Sequence, residues 1–120
     1  MNRTLKALGL TVALSLAAVV PASADAVADR TAALQRGWDH VNYEVPQATR
    51  LAEMARLHRE ADAVVASAPG RAEPLIWDGI ITASEAGLRG GLGGLGMARD
   101  AKTLLERAEA IDPRALNGSA

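Results

Sequence analysis

Apolar residues recur at three- and four-residue spacing in four stretches of the chain, with charged residues filling the intervals. From about Ala26 to Glu44 the recurring set is Ala33, Leu34, Trp38, Val41 and Val45, one stripe of a helix. Gly37 weakens that helix by roughly 1 kcal/mol relative to alanine, or else permits close approach by a neighbour. Pro46 ends the stretch, because proline disfavours helix in the residue before it and lacks a donor. From Gln47 to Ala68 the apolar side is Leu51, Met54, Ala55, Ala61, Val64, Val65 and Ala68, and Pro69-Gly70 stops it. From Glu73 to Ala86, Ile76, Trp77, Ile80, Ile81 and Ser84 keep helical spacing. The run "LIWDGII" taken alone also admits a short buried strand, and the neighbouring pattern favours helix. The fourth helix is predicted from Met97 to Ile111 on the stripe Ala101, Leu104, Leu105, Ala108 and Ile111, ending at Asp112-Pro113. The predicted fold is therefore all-α, two antiparallel hairpins over about 26–69 and 73–113. Composition agrees, being rich in alanine, leucine, arginine and glutamate and poor in β-branched and aromatic residues.

Ahead of this pattern stands a different one. Arg3 and Lys6 give a basic start, Ala7 to Val20 is uncharged and largely apolar, Pro21 breaks the run, and "ASA" at 22–24 offers small residues before Asp25. This is the layout of a cleaved secretory signal peptide over 1–24. The run is too short, and too diluted by Gly9, Thr11 and Ser15, for the roughly 20 apolar residues of a spanning helix. The expected location is periplasmic or secreted, with no stable membrane span after cleavage and a mature domain over 25–120. Cleavage takes 13 basic side chains to 11 against 14 acidic ones, a net of −3 with the signs interspersed. With no basic stripe and three aromatics, nucleic-acid binding has no support. The chain has no cysteine, so an exported form must hold by packing alone.

The stretch "GLRGGLGGLG" at 87–96 contains the spacing G-x-G-x-x-G. A dinucleotide fingerprint needs a strand running into the first glycine and a second strand after the helix. "TASEA" separates the apolar run from Gly87, and only eight residues follow Asp112, so no βαβ unit can be completed. The glycines are expected to form a tightly curled connection between two antiparallel helices, with Leu88, Leu92 and Leu95 plugging it onto the hairpin end. Free backbone N–H groups there, at Gly91, Gly93, Gly94 and Gly96, are the alternative candidate site, for an anion or small ligand.

No catalytic constellation, cofactor-binding motif or metal-ligand set is predicted. His40 and His58 are the only histidines. His58 and Asp62 stand four apart on one helix face, but a metal site needs a third ligand, and nothing nearby has a recognised ligand spacing.

The fourth helix, "DAKTLLERAEAIDP", carries Ala101, Leu105, Ala108 and Pro113 in the pattern of the second helix of a tetratricopeptide repeat (TPR). Trp77 and Ile80 resemble the W-x2-L element of the first helix. Trp38 and Val41 repeat that element upstream, and Leu57, Ala61, Val64 and Pro69 keep the spacing of the second. The chain thus resembles an exported bacterial TPR protein whose inter-helix turn is lengthened by about eight residues in the glycine stretch. The resemblance implies a non-enzymatic scaffold that binds a protein or peptide in the groove between first helices, with Trp38, Trp77 and Ile81 as its candidate lining. An indole in such a pattern more often fills the core. It also implies further repeats. Ile76, Trp77, Ile80 and Ile81 cannot all face one neighbour, so a chain ending after Pro113 is expected to be a shortened repeat protein or an obligate partner-binder, and to self-associate.

Overall fold

The computed structural model describes residues 23–115; the predicted signal peptide lies almost wholly outside them. The described residues form four helices and no strand: α1 (Ala24–Tyr43), α2 (Gln47–Ser67), α3 (Ala72–Arg89) and α4 (Gly91–Ile111). None is long and apolar enough to cross a membrane. "LIWDGII" is helical throughout.

Local chemistry sets most of the boundaries. Ser23 caps α1, its Oγ accepting from the Ala26 amide at 3.2 Å. Cleavage before Asp25 would remove that cap. The α1–α2 turn is tied by Arg50, whose guanidinium donates to the Val45 carbonyl at 2.8 Å. Pro69-Gly70 separates α2 from α3, and Pro74 sits in the first turn of α3, where no intrahelical donor is needed.

The helices pack as two antiparallel pairs, with α3 at the centre against α1, α2 and α4. Leu34, Val41, Val45, Met54, Leu57, Ala61, Val64 and Ile81 form one core cluster, with Trp38 and Trp77 packed against it. A second cluster joins Ala72, Leu75 and Ile76 to Ala108 and Ala115. Gly37 serves close approach: a Cβ there would meet Leu57 Cδ1 at 2.7 Å. Two apolar positions fall outside the core. Ala33 is exposed, because the buried face of α1 runs Val27, Thr31, Leu34, Val41, and Ile111 is 44% exposed. The apolar excess on α3 is not left open either. Ile76 and Ile81 are fully buried and Trp77 and Ile80 half-buried, because three neighbouring helices share them.

The glycine stretch differs most from expectation. No curled loop forms. α3 continues to Arg89, α4 begins at Gly91, six residues before the predicted start, and Gly90 alone connects them. Only Gly90 (φ 67°, ψ −177°) and Gly91 (φ 61°) have positive φ. The extra residues lengthen both helices instead of the turn. Leu92 is 88% exposed and Leu95 49%, so neither plugs the hairpin end; Leu88 alone packs on the core.

One glycine of the stretch, Gly94, lies in the seam between α3 and α4. Ala72, Gly79 and Ala86 on α3 stand seven residues apart and are buried, as are Gly94, Ala101 and Ala108 on α4. A Cβ at Gly79 would lie 2.8 Å from Leu105 Cδ2 and 3.4 Å from the Ala101 carbonyl oxygen; one at Gly94 would lie 2.6 Å from the Ala86 carbonyl oxygen. Small residues at a seven-residue period keep one narrow face turned to the partner and let the two backbones approach closely. At Gly79 and Gly94 the helix propensity lost, roughly 1 kcal/mol each, is offset by that contact.

Candidate functional site

Two regions combine accessibility with polar side chains. The first is a groove of about 350 Å³ between α1 and the start of α3. Val27 and Thr31 form its buried floor, and Gln35, Arg71, Glu73 and Trp77 stand around it. Arg71 and Glu73 pair across 3.4 Å at the rim. The Thr31 hydroxyl donates to the Val27 carbonyl at 2.8 Å, so the floor presents its methyl rather than an unpaired polar group.

Of the three residues expected to line a groove between first helices, Trp77 does so. Trp38 meets Trp77 edge to face, ring centres 6.0 Å apart, and its Nε1 donates to Ser84 Oγ at 2.8 Å. It is a strut between α1 and α3, half-buried. Ile81 is fully buried in the core and lines no groove, because α3 turns that side toward α1 and α2.

The anion loop expected at Gly91, Gly93, Gly94 and Gly96 does not exist as a loop. All four residues belong to α4, and the Gly94 amide already donates to the Gly90 carbonyl at 2.9 Å.

The second region is a buried polar cluster between α2 and α3. Sequence analysis singles out His58 and Asp62 on α2; their partners on α3 are Asp78, Thr82, Glu85 and Arg89. Asp78 is 1% exposed, Thr82 0% and Glu85 4%. His58 Nδ1 lies 2.7 Å from Glu85 Oε1, while Arg89 holds Glu85 Oε2 at 2.8 Å. A carboxylate paired with a guanidinium only accepts, so this pattern assigns a proton to Nδ1 and turns Nε2 the other way. Nε2 faces Thr82 Oγ1 at 3.0 Å, Asp62 Oδ1 at 3.5 Å and Asp78 Oδ1 at 3.6 Å. Thr82 Oγ1 also lies 3.1 Å from Asp78 Oδ1, so its single hydroxyl proton is shared between Nε2 and that carboxylate. Burial, with the Asp62 carboxylate beside it, pushes the Asp78 carboxyl up to about 7, against the opposing pull of His58 and Thr82. His40, by contrast, is exposed and faces only Glu44, at 3.6 Å.

Asp78, Thr82, Glu85 and Arg89 recur at intervals of four, three and four, a polar stripe on an otherwise apolar helix. That stripe is the signal in the sequence for this cluster. Its meeting with His58 depends on how α2 packs.

These regions define an all-helical protein of paired antiparallel helices, with a groove between α1 and α3 and a buried polar cluster between α2 and α3. Comparison with protein-family models, with curated proteins and with solved structures gives no match.

Proposed function

We propose that the chain is an exported, non-enzymatic scaffold of two TPR-like stacked hairpins that holds a peptide segment of a partner protein. The groove between α1 and α3 carries this reading. α1 and α3 are the first helices of the two hairpins and run in the same direction. Trp38 meets Ser84, and Val27 and Thr31 share the groove with Glu73 and Trp77, a constant offset along both helices. An apolar floor with a charged rim suits one apolar anchor of an incoming peptide, with its backbone polar groups left to Gln35, Arg71 and Glu73. Export rests on the basic, apolar and small-residue layout of residues 1–24.

Panning a random peptide library on the purified chain, then mapping the selected peptides by amide shifts, tests the proposal. Selected peptides should shift residues of Val27 to Gln35 and Arg71 to Trp77. Trp77→Ala should weaken them at least about tenfold, the loss expected for a buried aromatic contact. Peptides that map to α4, or that bind Trp77→Ala unchanged, would overturn it.

A further inference from the structure

We propose that His58 Nε2, Asp62 Oδ1 and Asp78 Oδ1 form a site for a divalent first-row metal ion of the zinc type, clamping α2 to α3. The three donor atoms lie within 4.8 Å of one another, and the imidazole nitrogen stands 3.5 and 3.6 Å from the two carboxylate oxygens. Donors bound to zinc at roughly 2.0–2.1 Å in a tetrahedron are separated by about 3.3 Å. Closing onto an ion therefore shortens the two imidazole–carboxylate separations by a few tenths of an ångström and brings the carboxylates together by at most about 1.5 Å, a movement the exposed Asp62 side chain can make.

Two further features point to a cation. Asp78 is 1% exposed, yet among the described residues no lysine or arginine reaches its carboxylate, and its closest donor is the neutral Thr82 hydroxyl. A buried carboxylate is costly without a cation against it, and a metal held with His58 supplies a closer one than the imidazole, 3.6 Å away. The second feature is the opposite edge of the imidazole. A ligating histidine characteristically donates its other ring N–H to a carboxylate, which fixes the ring and the tautomer. Glu85, itself 4% exposed and held by Arg89, accepts at 2.7 Å from His58 Nδ1, which leaves the Nε2 lone pair on the edge that meets Thr82 Oγ1 at 3.0 Å and Asp62 and Asp78 Oδ1 at 3.5 and 3.6 Å. One imidazole with two carboxylates favours zinc-like ions over magnesium or calcium, which take oxygen donors alone. Asp62 is 60% exposed on its side chain and His58 22%, so the site opens to solvent there, leaving an entry path and a position for water as fourth ligand.

The test is a titration of the purified chain with Zn²⁺, followed by ¹⁵N resonances of the imidazoles and by thermal unfolding. The site predicts saturation at one equivalent, a shift of His58 Nε2 with Nδ1 still protonated, an unmoved His40, and a raised Tm. Asp62→Asn, at the exposed rim where it leaves packing intact, should abolish saturation. Asp78→Asn should do the same, and Glu85→Gln should weaken binding by about 10- to 100-fold. Millimolar Mg²⁺ should not displace the zinc. No saturable binding, a shift of His40 in place of His58, displacement by Mg²⁺, or unchanged affinity in Asp62→Asn would each overturn the proposal.

Discussion

Gly94 and Gly96 stand two residues apart in the same helix, and replacing each by alanine separates the two reasons a helix can contain glycine. Both substitutions gain the same intrinsic helix propensity, about 0.8–1 kcal/mol. Their surroundings differ. A Cβ at Gly96 meets nothing within 4 Å, whereas one at Gly94 would lie 2.6 Å from the Ala86 carbonyl oxygen. That oxygen belongs to the α3 backbone and cannot rotate away, so α4 must retreat and loosen the contacts of Gly79 with Leu105 and of Ala72 with Ala108. Overpacking of this kind costs roughly 1–3 kcal/mol. Because the propensity term is common to both variants, their difference reads the seam alone. Gly96→Ala should be more stable than the parent, and Gly94→Ala should fall below Gly96→Ala by about 1–3 kcal/mol. For a domain of this size each kcal/mol moves Tm by about 4–8 °C, so thermal unfolding followed by circular dichroism resolves the gap. Gly87→Ala, also with nothing within 4 Å, is a second open-space control. Equal Tm values for Gly94→Ala and Gly96→Ala would refute the close-packed seam.

Other outcomes follow from the same geometry. Gly90 holds φ 67° with ψ −177°, a region essentially reserved for glycine, so Gly90→Ala should cost on the order of 1–3 kcal/mol in urea unfolding; a neutral result would mean the corner is not pinned. Asp78 is raised from 3.8 to about 7, so between those values the folded chain holds a proton that the unfolded chain releases, and stability falls as pH rises through that window. With a chelator present, Asp78→Asn should therefore gain stability relative to the parent as pH goes from about 4 to 7, and a constant difference between the two Tm curves would exclude the shift. Expressed from its own start codon in a bacterium, the chain should accumulate in the periplasm beginning at Asp25; a soluble cytoplasmic product retaining Met1 would refute export.

The four helices were legible because their stripes are long and their proline and glycine stops fall where stops are effective. Pro46 and Pro69-Gly70 bound α1 and α2 within a residue or two of expectation. The glycine stretch was misread for an equally physical reason. Six glycines in ten residues are a poor helix by propensity, and propensity yields at Gly94, where the closeness of the Ala86 carbonyl leaves no room for a side chain. The clue lay in Ala72, Gly79 and Ala86 against Gly94, Ala101 and Ala108, a seven-residue period visible only once both helices are considered together. For the polar cluster, the i,i+4 pair His58 and Asp62 was apparent, but Asp78 is sixteen positions beyond Asp62 on another helix. No local spacing records that approach. Trp77 borders the groove, whereas Ile81, one turn further along α3, is buried against α1 and α2, a difference set by where the neighbouring helices end rather than by spacing on α3.

The small-residue seam has a further consequence, for alignment. A pattern that repeats every seven residues looks nearly the same after α4 slides by one period along α3. Gly94 would leave Ala86 for Gly79, Ala101 would leave Gly79 for Ala72, and two of three layers would still oppose small to small. What the seam itself offers against the shifted pairing is Leu105, which packs where Gly79 lacks a Cβ and would meet the methyl of Ala72 after the slide. The rest falls to the connection: a single residue, Gly90, joins the helices and has no slack to supply a seven-residue offset. Chain length at the corner thus sets the register of this hairpin together with the fit of Leu105 on Gly79.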